Sequence, residues 1–518
     1  MTNDATGTWH DGYVVDVPYI EPITADLCPA RFSMAAVLHG QPPIDHSRPL
    51  TWVELGSGSG LSACMVAAAN TNIEVWGCDF NPAHVERSRR LAAKAALSNC
   101  TFDEASFEQL AANELVGPAE ADVVVVHGVY SWVSRANQGH IAEFIRRRLR
   151  PGGLVYVSYE LATGWSSMTP LAEAMRLHAQ ADGRRSDLAF PDAARAIQRL
   201  ADGGARYFPL GSRETFQMSS LVNADARYAA HEYLGGHFRP VMFDEVADMM
   251  AAARCSYVGS LDAADHMTGL WVQPELTDLV VSTADVTLQQ MLRDVIVQRP
   301  LRRDLFRRGL ATSTDVEREA WLRDLVVVGL GLDYVDGAVV DVPVGEVALD
   351  PSFYKPLVDA LADAPINVST VQSVLPNLGL PDAVAAMSLL VGGSYAAPAV
   401  TEWNTTDAGV TARRLNEVLI AENRAGADHR CLIAPATGAA LASEYFEMLG
   451  IGALWNGVSV DVDLLTDHVL AELDAQQRFV LEQDAVVENR QEARDIVGRR
   501  IARTLQRTEG PLTLLGIW

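Results

Sequence analysis

The segment Glu54-Leu55-Gly56-Ser57-Gly58-Ser59-Gly60 constrains this chain more than any other. Residues 51–55 in front of it read as a strand, and residues 61–69 behind it as a helix. A glycine turn between them lets backbone N–H groups at a helix start meet a ligand closely. The glycines are spaced G-x-G-x-G, not in the dinucleotide pattern G-x-G-x-x-G. A carboxylate, Glu54, lies two positions before the first glycine, where it would repel a pyrophosphate. S-adenosyl-L-methionine carries a sulfonium and an ammonium and no phosphate. Glu54 suits that positive end, Gly56 and Gly58 leave room for the methionine part, and Ser57 and Gly60 complete the turn. S-adenosyl-L-methionine is therefore the expected cofactor.

The pattern around the loop supports this. Residues 73–80 read as a second strand, and Pro82 opens a helix to about residue 97. A third short strand lies near Thr101. Residues 122–127 are a valine run, as expected of a buried central strand, and a helix (141–149) and a strand (154–160) follow. Strands alternating with helices imply an α/β fold with a doubly wound, Rossmann-like sheet of the class I methyltransferase type. Asp79 ends the second strand, where a carboxylate can accept both ribose hydroxyls. Phe80 follows it, and Ser106 and Phe107 are placed to border the adenine. The acid often found near Ser106 is missing, with Asp103 and Glu104 close by.

Ligands of such sheets meet the carboxyl ends of the strands. The fourth strand ends in His127-Gly128-Val129-Tyr130-Ser131-Trp132. His127 and Tyr130 have the spacing of a polar group and a ring that orient an amine and cover a cationic transition state. His127 and Gly128 are also assigned to the cofactor side. The fifth strand ends in Tyr159-Glu160, then Gly164-Trp165. Glu160 can bind a cationic substrate or accept its proton. Tyr130, Trp132, Tyr159 and Trp165 can build a dry pocket that lowers an amine's pKa. His127, Tyr130, Trp132, Tyr159 and Glu160 are thus the candidate catalytic residues.

A chain of 518 residues exceeds one core. The expected units are an N-terminal cofactor-covering segment (1–47), a methyltransferase core (48–185), a regulatory or dimerisation region (186–300), a helical, winged-helix-like unit (301–400) and a helical C-terminal unit (401–518). Helices are expected to dominate from about 275 to 345, including the Arg-rich stretch 299–308. The net charge of −25 opposes nucleic-acid binding and favours basic partners. The winged-helix-like unit is accordingly read as a packing module. No apolar run reaches the roughly 18 residues of a membrane span, and residues 1–7 lack signal-peptide character. A cytoplasmic setting without membrane insertion is expected. The six cysteines form no CxxC pair and read as buried thiols. His231-Glu232 and His237 miss the H-E-x-x-H spacing, so no metal is assigned.

The segments H-G-V-Y-S-W-V (127–133), Y-V-S-Y-E-L-A-T-G-W (156–165) and A-H-E-Y-L (230–234) resemble bacterial methyltransferases carrying a methyltransferase regulatory domain. So do Tyr13-Val-Val-Asp-Val-Pro18-Tyr19, residues 243–260 and residues 412–416. Characterised members of that family are lysine methyltransferases of an outer-membrane protein. The resemblance implies a homodimer, Tyr13 and Tyr19 near the cofactor, and His127 and Tyr130 at the catalytic edge. Glu160 and Thr163 stand where the family usually has Asn and Pro. Residues 244–261, a helix then a strand, could instead complete the sheet.

The expected activity is N-methylation of a protein or peptide side chain, a lysine amine by resemblance. Methylation of a peptide natural-product precursor at an amide or carboxylate, or of a small molecule, is the alternative enzyme reading. A binding or assembly protein with a remnant cofactor site is the non-enzyme one.

Overall fold

The alternating segments between residues 50 and 160 form five parallel strands in the computed structural model. They are β1 (Leu50–Leu55), β2 (Ile73–Asp79), β3 (Cys100–Glu104), β4 (Ala121–Val126) and β5 (Leu149–Glu160). Helix α1 (Pro29–Leu38) precedes them; α2 (Leu61–Ala69), α3 (Pro82–Lys94), α4 (Phe107–Ala112) and α5 (Arg135–Arg148) connect them. The structure describes residues 10–18, 24–112, 115–209, 213–400, 405–482, 485–508 and 510–518. Every residue of β4 is buried, because helices cover both faces of a central parallel strand. Period-two alternation divides the strands between two cores. Trp52, Val75, Val123 and Tyr156 pack with α1 and α2, while Val53, Cys78, Val124 and Val157 pack toward α5.

The chain then runs through α6 (Ala162–Trp165), α7 (Thr169–Asp182), α8 (Ser186–Asp202), α9 (Arg213–Leu221), α10 (Ala226–Tyr233) and α11 (Phe243–Ala252) to β6 (Cys255–Ser260). Helices α12 (Pro274–Val281) and α13 (Val286–Val297) lead to β7 (Leu301–Arg308). The sheet order is β3-β2-β1-β4-β5-β7-β6, with β7 antiparallel to both neighbours. Residues 244–261 do complete the sheet.

The Arg-rich stretch 299–308, expected to be helical, is therefore a strand. Arg302, Arg303 and Asp304 are paired with opposite charges, while Arg307 and Arg308 donate to backbone carbonyls. Arg302 is 1% exposed, bonds Asp304 at 2.7 Å and Asp294 at 2.8 Å, and lies over the Phe243 ring. Arg303 points to the opposite face, to Asp26 and Asp262. The sheet thus draws on residues beyond 185 and 300, where the sequence suggested unit boundaries.

Past β7, strands Ile366–Asn367, Val326–Gly329 and Ala396–Pro398 form a small antiparallel sheet. Helices Pro351–Asp363, Val368–Val374 and Leu380–Gly392 share a core with it through Leu357, Val371 and Met387. The C-terminal part is mainly helical, with a hairpin of Cys431–Ala434 and Ala439–Ala442. This hairpin and helix Thr405–Arg424 pack on α2, all of whose residues are buried. No described helix is long and apolar enough to cross a membrane. The six cysteines are buried thiols.

Candidate active site

β1 delivers Glu54 to the carboxyl edge of the sheet, where its carboxylate is 4% exposed and accepts a 2.5 Å hydrogen bond from Ser62 Oγ at the start of α2. Gly56 follows with φ +72°, and a Cβ there would lie 2.6 Å from Val129 Cγ2. Only glycine satisfies both constraints. Gly58 N–H donates to Asp79 Oδ2 at 3.0 Å, tying the loop to β2. Asp79 also accepts from Asn81 N–H at 2.8 Å and lies 3.3 Å from His84 Nδ1.

These groups line one cavity of about 820 Å³, within the roughly 300–1,000 Å³ typical of small-molecule sites. Its lining includes Tyr13, Glu54, Gly56, Gly58, Asp79 and Phe80 together with Ser106, Phe107, His127, Gly128 and Trp132. Phe80 meets the Tyr13 ring edge-on at 5.8 Å. Burial, with Asp79 and Glu232 nearby, pushes the Tyr13 phenol well above its ordinary range. Ser57 and Gly60 do not face the cavity. Ser57 N–H donates to Cys78 O, and Gly60 packs against Ser88 and Phe102 as it opens α2. They shape the turn from behind. Tyr19 lies outside the described residues.

His127 is held through both ring nitrogens. Nε2 lies 3.0 Å from Thr24 Oγ1, and Nδ1 lies 3.1 Å from the Tyr156 hydroxyl and 3.2 Å from Ser158 Oγ. Ser158 Oγ also accepts from Gly128 N–H at 2.9 Å. Burial first, then the charge of Arg303, lowers the His127 pKa to about 4. The ring is neutral at physiological pH, donating through one nitrogen and accepting through the other.

Three of the expected catalytic side chains lie elsewhere. Tyr130 is 1% exposed in the core shared with α5 and α11. Tyr159 is fully buried in the same core, and its hydroxyl donates to Asp304 at 2.5 Å. Strand alternation explains the second case: Tyr156 and Ser158 face His127, so Tyr159 must face away. Glu160 caps β5 outside the cavity lining and accepts from Trp165 Nε1 at 2.5 Å. Burial, opposed by that bond and assisted by Glu232, raises its pKa to about 7. Rings connect it to the cavity: Trp132 meets Phe238 at 5.5 Å, and Phe238 meets Trp165 at 4.9 Å.

Sequence reasoning missed Thr24, Ser62, Tyr156 and Ser158. Counting back in twos from Glu160 along β5 would have found Ser158 and Tyr156. In the segment weighed as a zinc motif, His231 bonds Val17 O at 3.0 Å through Nε2.

Residues 53–155, which carry the loop and the cavity's strands, match the family model of a methyltransferase domain. The chain is an S-adenosylmethionine-dependent methyltransferase. Residues 225–308 match the model of a predicted methyltransferase regulatory domain. PKMT2 from Rickettsia typhi, solved in complex with AdoHcy, superimposes with a TM-score of 0.69 at 16% identity, over 96% of this chain and 99% of that one. The class I fold and its appended units are shared along nearly the whole length. The uncharacterized protein sll1526 of Synechocystis is 27% identical over 400 residues, 76% of this chain and 78% of that protein. The uncharacterized protein RP028 of Rickettsia prowazekii is 26% identical over 196 residues, 38% of this methyltransferase and 75% of that protein. The cavity fits the cofactor: Glu54 offers a buried anion to a cationic ligand, and Gly58 presents bare backbone to the cavity, with nothing within 4 Å of where a side chain would begin.

Proposed function

We propose that this methyltransferase modifies nitrogen on a protein or peptide side chain, a lysine amine. The carrying observation is Glu160, a half-buried carboxylate at the end of β5 that accepts from Trp165 and has no cationic partner among the described residues. Burying a carboxylate is costly unless a cation compensates it. An ammonium from the substrate supplies that cation, whereas a carboxylate acceptor would be repelled. The likeness to PKMT2 supports a protein substrate, and the net charge of −25 favours a basic one.

In this reading Glu54 faces the cofactor's positive end, Asp79 takes the ribose hydroxyls, and Phe80, Ser106 and Phe107 border the adenine. The bound cofactor supplies an electrophilic methyl group. His127 with Gly128 closes the cavity beside it, and Trp132 leads toward Glu160. Rate comes chiefly from positioning and from dehydration of the amine. The resemblance also favours a homodimer, which sedimentation equilibrium would report.

The test uses full-length protein, cofactor carrying a radioactive methyl group, and arrayed lysine-centred peptides. Acid hydrolysis of labelled spots should yield methyllysines. Label released by mild base as methanol would mark a methyl ester and overturn the reading.

A further inference from the structure

Strand β7 runs antiparallel to β5, so its first residues meet the carboxyl end of β5, the edge at which the cofactor cavity lies. Arg303 stands opposite Ser158 in register, and register partners on neighbouring strands face the same side of a sheet. Ser158 Oγ is one of the contacts of His127. Arg303 itself lines a second cavity, of about 670 Å³, together with Asp26, Arg31 and Asp262. There its guanidinium pairs with Asp262 and donates to Asp26 Oδ2 at 2.6 Å. The other oxygen of Asp26 lies 3.4 Å from Arg31 Nε. Burial opposes it, but the charges of Arg31 and Arg303 hold the Asp26 carboxyl below its usual range, so the pairing persists at neutral pH. Leu27 N–H donates to Thr24 O at 3.2 Å and Cys28 N–H to Asp26 O at 2.9 Å. Thr24 and Asp26 are thus held in one short turn. Thr24 lines the cofactor cavity, and its Oγ1 meets His127 Nε2 at 3.0 Å. The turn therefore joins the two cavities.

We infer that Arg303 is a positioning residue for methyl transfer: through Asp26 it seats Thr24 against His127, and so fixes the His127–Gly128 wall of the cofactor cavity. Both nitrogens of His127 are engaged, by Thr24 on one side and by Tyr156 and Ser158 on the other. The ring serves as a fixed wall, and its orientation depends on all three hydroxyls. Two of them come from β5 and are set by the sheet. The third comes from the N-terminal segment, and its place depends on the Arg303–Asp26 pair. A partly exposed ion pair adds little to stability; what this one adds is the seating of the turn. The segment matched as regulatory also clasps the N-terminal segment twice more. Gly236 N–H donates to Gly12 O at 2.9 Å, and His231 Nε2 meets Val17 O at 3.0 Å. Residues 225–308 accordingly act on the cofactor cavity by holding the N-terminal segment, and Arg303 is where that hold reaches His127.

The test reads AdoHcy affinity by calorimetry and the His127 ring by NMR, in full-length protein carrying isotopically labelled histidine. The His127 signals are those missing from His127→Gln. Neither readout depends on the acceptor, so the outcome is separate from that of the lysine reading. Arg303→Met, Asp26→Asn and Thr24→Val should each weaken AdoHcy binding roughly tenfold, the equivalent of one lost hydrogen bond, and shift the His127 signals. Arg303→Lys and Thr24→Ser, which keep the charge and the hydroxyl, should restore part of the affinity. Arg303→Met combined with Thr24→Val should bind no worse than the weaker single variant, because residues acting through one chain of contacts are not additive. Arg307→Met is the stability control. Arg307 pairs with Leu154 toward the other end of β5 and donates to Pro42 O at 2.6 Å. Its loss should lower the Tm and leave both readouts unchanged. Unshifted His127 signals in Arg303→Met and Asp26→Asn, additive losses in the double variant, or an equal loss of affinity in Arg307→Met would overturn the inference.

Discussion

At the scale of single residues, two partly buried carboxylates, Glu160 and Glu232, carry a measurable energetic penalty. Glu160 and Glu232 each have a pKa raised from 4.5 to about 7, burial being the main cause. A carboxyl whose folded pKa exceeds its unfolded one binds more protons when folded. Its contribution to stability is full below pH 4.5 and is lost as the pH rises to about 7. Glu160→Gln and Glu232→Gln should therefore melt at or above the wild-type temperature at pH 8 and show no such advantage at pH 5, by calorimetry. A Tm gain that is independent of pH would refute this account. The activity loss in Glu160→Gln should exceed tenfold at pH 8, where the wild-type carboxylate is ionised, and shrink at pH 5, where its protonation makes it resemble the amide. The loop's glycine gives the opposite outcome. Gly56→Ala combines a left-handed φ with a 2.6 Å approach to Val129, a strain of about 1–3 kcal/mol. It should raise the AdoHcy Kd by roughly ten- to a hundredfold; a Kd within twofold of wild type would show that the loop yields. Glu54 and Asp79 were legible in the sequence because strand, turn and helix fix them within a few residues. Thr24 was not, since it approaches His127 from a distant segment, and no local periodicity encodes such a meeting.

At the scale of elements, β1 to β5 were legible for the same local reason, and β7 was not. Its sequence, L-R-R-D-L-F-R-R, reads as a charged helix until Arg302 and Asp304 are seen to be buried as a pair, with Asp294 beside them. Arg302 is the keystone, bonding Asp294, Asp304, Gln290 and the Tyr257 hydroxyl. Asp294 already has its pKa raised to about 6 by burial, even with Arg302 beside it. Removing one partner of a buried pair leaves an uncompensated charge and costs about 3–5 kcal/mol. Arg302→Met should lose that much in urea unfolding. Replacing Arg302, Asp304 and Asp294 together with apolar residues should recover a large part of the loss. A loss below 1 kcal/mol in Arg302→Met would mean that the network is not what fixes β7 between β5 and β6.

At the scale of the whole molecule, the C-terminal part serves as the outer wall of the methyltransferase core. A helix as short and apolar as α2 normally exposes one face; here none is exposed, because helix 405–424 and the hairpin at 431–442 cover the side away from the sheet. One hydrophobic core runs from Trp52 and Met65 through Leu415 and Leu419 to Ile433 and Met448. Polar contacts mark the same seam: Asn70 Nδ2 donates to Gly438 O at 2.8 Å, Thr411 Oγ1 to Ala68 O at 2.6 Å, and Lys94 pairs with Glu422 at 2.8 Å. Each large apolar side chain uncovered costs about 1.5–3 kcal/mol, and a domain has only about 5–15 kcal/mol in hand. Removing residues 401–518 uncovers more than a few such side chains. The fragment 1–400 should therefore lose AdoHcy binding and cooperative melting together, while the full chain melts the cofactor site and the C-terminal helices in one transition. A fragment that retained wild-type AdoHcy affinity would show that the loop and strands fold unaided, and that the shared core only thickens a wall already standing.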